Sequence, residues 1–161
     1  SPGDIAARSK CLYGAWLCGA VLGNVGMALQ HKLCHSLGGT YNLPHAETHT
    51  VVLPHALAYN APAVPEAIDR IARALGVGDA ARGMFDLAAS LGAPTALKDI
   101  GMPEGQLDWC AEIATQNAYA NPRPSKKRPY AHCSKTRITA SGRDHVIFMR
   151  LTRWTRPSSH F

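Results

Sequence analysis

Five of the eight histidines of this chain fall in one stretch, Gln30 to Asn60. They are His31, His35, His45, His49 and His55. His31 and His35 stand four residues apart, so in a helix they share one face. His45 lies beyond a loop that contains Gly38 and Gly39, at the expected start of another helix. A helix end, a tight turn and a following helix start bring His31 and His45 together in space. Imidazoles that converge in this way suit a divalent metal, or an anionic substrate that needs hydrogen-bond donors. The bland alternative, surface or satisfied core histidines, stays open at this level. No His-Glu-x-x-His motif occurs, which argues against a metalloprotease. His49 follows His45 by one helical turn, and His55, directly after Pro54, reads as a structural position.

The elements that would hold these residues are helical. Ala, Leu, Met and Arg dominate the first hundred residues, and β-type alternation is scarce. A first helix is expected from about Asp4 toward Gly23 or Gly26, with an extension through His35 open, and Gly38-Gly39 as the stop. Thr40 to Pro44 reads as a short loop, followed by a helix to Tyr59 that Pro54 kinks or splits. Pro65 opens a helix with Ala67, Ile68, Ile71, Ala72 and Leu75 on one face and Gly76 as its C-cap. Asp79 caps another, carrying Met84, Phe85, Leu87 and Leu91. A short turn is expected over Thr95 to Ile100, then a last helix from Pro103 and Glu104 that carries Leu107, Trp109 and Ile113.

The chain carries a net charge of +6, but the charge is uneven. Residues 1–124 hold eight Lys or Arg and ten acids, whereas residues 125–161 hold nine bases and one acid, Asp144. The domain is slightly acidic and carries no footprint for phosphates. Five scattered cysteines, without a C-x-x-C pair, read as buried thiols of a reducing compartment. Residues 11–30 are uncharged and contain Gly19-x-x-x-Gly23, yet four glycines, Asn24 and Gln30 make them a poor membrane span. They are expected to form a central helix packed on all sides. Tyr13, Trp16 and Tyr41 are expected in the core or a cleft wall.

The run from Met27 to Asn60 resembles the second signature region of the iron-containing alcohol dehydrogenases. In that family one ligand histidine is followed by a functional histidine four residues on and a second ligand fourteen residues on. Those positions match His31, His35 and His45. The wording HKLCHSLGGTYNLPHAETHTVVLPHALAYNAPA is most similar to the maleylacetate reductase branch, as are LYGAWLCGAVLG upstream and LGAPTALKDIGMPE downstream. The resemblance covers roughly Ser1 to Pro124. It implies an all-α unit, the helical C-terminal domain of a dehydroquinate-synthase-like fold, with a Rossmann-like domain for NADH or NADPH expected outside this chain. It implies NAD(P)H-dependent reduction of maleylacetate to 3-oxoadipate in aromatic-compound breakdown, at a cleft between the two domains. By the same resemblance His31 and His45 would hold Fe or Zn, or bind substrate in a metal-free enzyme, while His35 and His49 would be catalytic. A small dicarboxylate substrate, a cytoplasmic location and a homodimer at full length complete the implied picture, with neither nucleic acid nor membrane as partner.

Two family features have no counterpart here: an Asp-x-x-x-His pair and a glycine-rich nucleotide loop. The chain by itself is therefore expected to be inactive. The rival readings are a metal-dependent alcohol dehydrogenase of the same family, and a non-catalytic helical module that uses its basic end for nucleic acid. Residues 1–124 are read as the helical domain and 125–161 as a disordered basic tail of separate origin. Regrouping the codons of Ser125 to Thr139 by one base allows Glu-Lys-Ala-Pro-Ile-Arg-Ala-Leu-Leu-Glu-Asp-Ala-Tyr-His, an amphipathic pattern suited to a reductase C-terminus. A one-base frameshift near codon 125 is the expected cause.

Overall fold

A computed structural model describes residues 2–103 and 119–123 of the chain. The described residues form helices and turns, with no strand among them. Helix α1 spans Ile5–Leu22, α2 Leu29–Tyr41, α3 His45–Asn60, α4 Pro65–Leu75 and α5 Ala80–Ser90. Short 3-10 turns follow at Ala61–Ala63 and Leu97–Ile100. The expected last helix from Pro103 lies mostly outside the described residues, as does the segment 125–161.

The hairpin of α2 and α3 is the centre of the fold, and α5 packs on α3. Leu29, Leu33 and Leu37 repeat every four residues along α2, forming one apolar stripe. They meet Val51, Val52 and Tyr59 of α3, together with Leu43, Leu97 and Met102. Leu37 and Val52 are wholly buried. A stripe of this kind on each helix fixes the rotation of both, and so fixes where the remaining faces point.

Several helix ends follow the sequence signals. Asp4 accepts from the Ala6 and Ala7 N–H groups at 2.9 and 3.1 Å, and Asp79 accepts from Arg82 N–H at 3.0 Å. Pro65 opens α4, and Gly76, at φ 69°, closes it in the left-handed conformation. Here the Val77 N–H returns to the Ala72 carbonyl at 3.0 Å.

Several expectations are corrected, but not the span of the first helix, which ends at Leu22 with Gly23 as its C-cap. The extension through His35 is not taken, and the Asn24 side chain donates back to the Ala20 carbonyl at 2.7 Å. Glycine and asparagine compete with the helix there, and α2 starts afresh at Leu29. Gly38 and Gly39 do not end α2. It runs through them to Tyr41, and Asn42 makes the turn at φ 51° and ψ 38°. Pro54 does not split α3, which is continuous from His45 to Asn60. The proline ring removes only the one bond to the carbonyl four residues back, and packing against α2 and α5 holds the rest. Lastly, α1 is not packed on all sides, since none of its residues is buried. Leu12 is 71%, Tyr13 62% and Trp16 64% exposed, so the two aromatics are not core residues. Tyr13 and Trp16 stack on each other instead, with ring centroids 5.8 Å apart. Cys11 and Cys18 are exposed with them, against the expectation of buried thiols, while Cys34 is buried as expected and burial pushes its thiol pKa up to about 12. No helix among the described residues is long and apolar enough to cross a membrane.

A strap of residues 119–123 crosses the end of the hairpin remote from its turn. Ala28, at the N-terminus of α2, has no capping side chain. Asn121 takes that role from across the chain, accepting from the Leu29 N–H at 3.3 Å. Its amide also pairs with Asn60 at the end of α3, at 2.7 and 3.3 Å. Arg123 donates to the Tyr59 carbonyl at 3.1 Å and lies over the Tyr59 ring at 4.5 Å.

Candidate functional site

The hairpin turn is short, because α2 ends at Tyr41 and α3 starts at His45. Each helix carries two histidines four residues apart on one face. The register places His35 opposite His45, next to the turn, with ring centroids 6.3 Å apart. One helical turn away His31 faces His49, at 4.8 Å and nearly perpendicular. Along the helices the separations are 6.1 Å for His31 and His35 and 4.3 Å for His45 and His49. The four imidazoles thus form a closed ring. His35 and His45 are exposed at its open side, whereas His31 and His49 are partly buried.

Burial and the neighbouring imidazoles both disfavour charge on His31 and His49. The pKa of His31 lies below its ordinary 6.5, first from desolvation and then from His35 and His45. That of His49 is lowered by desolvation and then by His45, His31 and His35. At neutral pH the inner pair is therefore uncharged, and each ring carries one N–H donor and one acceptor nitrogen. His49 has a further partner, as its Nδ1 lies 3.0 Å from Nε2 of Gln30. Nε2 of His49 is buried and has no hydrogen-bond partner. His55, further along α3, is 1% exposed.

No group of three or more His, Cys, Asp or Glu among the described residues is arranged to hold a metal ion. Imidazole nitrogen suits iron or zinc chemically, yet His31 and His45 would make only half of a four-ligand set. The described residues do not by themselves fit a metal.

A family model for the C-terminal part of the Fe-containing alcohol dehydrogenase family matches residues 1–131. The chain belongs to the iron-containing alcohol dehydrogenase family. Within that family, it is 59% identical over 132 residues to a maleylacetate reductase of Pseudomonas sp. strain P51, covering 82% of this chain and 38% of that protein. A crystal structure described as a putative alcohol dehydrogenase of Ralstonia eutropha JMP134 superposes with a TM-score of 0.79 at 57% identity. The superposition covers 94% of this chain and 39% of that one. The maleylacetate reductase of Agrobacterium tumefaciens gives 0.78 at 47% identity, over 95% and 39%. The chain thus spans about two fifths of the length of the relatives it matches.

The structure brings His31, His35 and His45 together about the turn, as their spacing suggested, and His49 stands with them. Three residues that shape the site were not legible in it. Gln30 reaches His49 across the hairpin, Asn42 makes the turn, and Asn121 caps α2 from 92 residues away. Only the Asn42 position carries a local signal, since asparagine tolerates the left-handed region.

Proposed function

We propose that this chain is the helical site-bearing portion of a maleylacetate reductase, which reduces maleylacetate to 3-oxoadipate with NADH or NADPH. The observation that carries this reading is the ring of four imidazoles at the α2–α3 hairpin, in a chain 59% identical to a maleylacetate reductase. A nicotinamide, held by residues other than those described here, supplies the hydride. The described residues supply a surface for the dicarboxylate and donors for the charge that develops on it.

The reaction adds a hydride to the alkene carbon distal to the ketone. The alkene electron pair moves toward the carbonyl, negative charge builds on the ketone oxygen, and a proton then completes the carbon next to the ketone. Neutral His49 and His31 offer N–H donors to that oxygen without the cost of burying a charge. His35 and His45, exposed at the rim, are placed to meet a carboxylate, and His35 to pass a proton in from solvent. His31 and His45 serve as substrate donors in this scheme, and no step is routed through a metal.

The same reading divides the chain at Pro124. Residues 125–161 are then out-of-frame translation with no part in the reaction.

The test is a fusion in which residues 1–123 replace the matching segment of the Pseudomonas relative. It should oxidise NADH or NADPH with maleylacetate, while the 161-residue chain alone gives no turnover above a heat-killed control. His31→Ala and His45→Ala in the fusion should each lower kcat/KM by about 100-fold or more, with helix content unchanged. Oxidation of simple alcohols in place of maleylacetate reduction would instead mark a general alcohol dehydrogenase.

A further inference from the structure

The contact between Gln30 and His49 fixes more than a position. Gln30 turns its amide nitrogen, which has hydrogens and no lone pair to offer, toward His49 Nδ1 at 3.0 Å, and in this orientation Gln30 donates and Nδ1 accepts. A neutral imidazole that accepts at Nδ1 carries its proton at Nε2. Nε2 is the atom that is buried and lacks a partner. The free protein therefore holds an N–H donor out of water and leaves it unused, an arrangement that folding alone disfavours. The ring is flanked by His45 at 4.3 Å and His31 at 4.8 Å, so the donor belongs to the four-histidine cluster.

We infer that Gln30 is a positioning residue, which locks His49 as an Nε2–H donor for a substrate oxygen that has lone pairs and no hydrogen. A ketone or carboxylate oxygen fits this requirement. With Nδ1 occupied by Gln30 and Nε2 protonated, His49 offers no lone pair to a metal. The inference rests on the proposed reductase site for its substrate, but the tautomer itself does not depend on that reading. Gln30 acts through His49 and does not touch the reacting atoms.

The experiment has two arms. In the 15N-labelled 161-residue chain at pH 8, long-range 1H–15N spectra should show His49 with a protonated Nε2 and an unprotonated Nδ1. Gln30→Glu keeps the size of the side chain but presents an acceptor, so it should invert the pattern to Nδ1–H. In the fusion enzyme, Gln30→Met should lower kcat by about 10–100-fold, by analogy with the loss of a partner that orients a metal-bound imidazole. Gln30→Glu should lower it at least as much, although it restores a hydrogen bond to the ring. A purely structural role predicts the reverse, with Glu rescuing what Met loses. A wild-type His49 protonated at Nδ1, or a Gln30→Glu enzyme with normal kcat, would overturn the inference. An inactive fusion would count against the proposed reaction, while the spectra of the wild-type chain still decide the tautomer.

Discussion

At the scale of single residues, the histidine ring couples the fold to pH. His31 and His49 both have pKa values depressed below 6.5 by burial and by neighbouring imidazoles. Well above pH 6.5 they are neutral in the folded and the unfolded chain alike, and His31 and His49 carry no penalty. As pH falls through 6.5 the unfolded chain takes up protons first, so the folded state loses stability down to the lower folded pKa values. The melting temperature of the chain should hold steady from pH 8 to 7 and fall below about 6.5. His49→Asn and His31→Asn should each flatten that decline. A melting temperature that rises on acidification would show the imidazoles to be charged in the native cluster.

At the scale of elements, the α2–α3 hairpin sets the spacing of the ring, and Asn42 sets the hairpin. Its backbone sits at φ 51°, where a β-carbon is disfavoured and asparagine is among the tolerated residues. Asn42→Gly should leave stability within about 0.5 kcal/mol, because glycine reaches this region freely, whereas Asn42→Ala should cost about 1 kcal/mol. Urea unfolding of the two variants measures the difference, and equal midpoints would mean that the turn is not strained. This hairpin shows what the sequence could reveal. Intervals of four and fourteen residues report helix faces and a loop, so the clustering of His31, His35 and His45 was legible. The choice of stop was not, because Gly38 and Gly39 look like helix breakers, while Leu37 and Tyr41 pack on the core and carry α2 past them. Pairing across helices, as in Gln30 with His49, leaves no periodic trace at all. The helices over 65–75 and 80–90 were the most legible, since their proline, aspartate and glycine signals are local.

At the scale of the whole molecule, the chain is uneven in charge and in burial. From Cys11 to Leu22 helix α1 carries no charge on any side, a pattern that suits a helix enclosed on all sides, yet α1 buries none of its residues. The basic excess lies in residues 125–161, outside the described residues. If a one-base shift created that segment, the coding DNA regrouped by one base will read through Ala-Leu-Leu-Glu-Asp-Ala-Tyr. An early stop in that frame would end the frameshift explanation. The strap at Asn121 adds a consequence in time. The contact of Gln30 with His49 spans 19 residues, whereas that of Leu29 with Asn121 spans 92. Closing the longer loop costs roughly 1.4 kcal/mol more chain entropy, so the hairpin can form before the strap arrives. The histidine register is then among the earliest tertiary features the nascent fold acquires, and the cap at Leu29 among the last. Unfolding reverses the order: when the strap lets go, the first turn of α2 loses its cap. Gln30 and His31 are then loosened while His35 and His45 are still held at the turn.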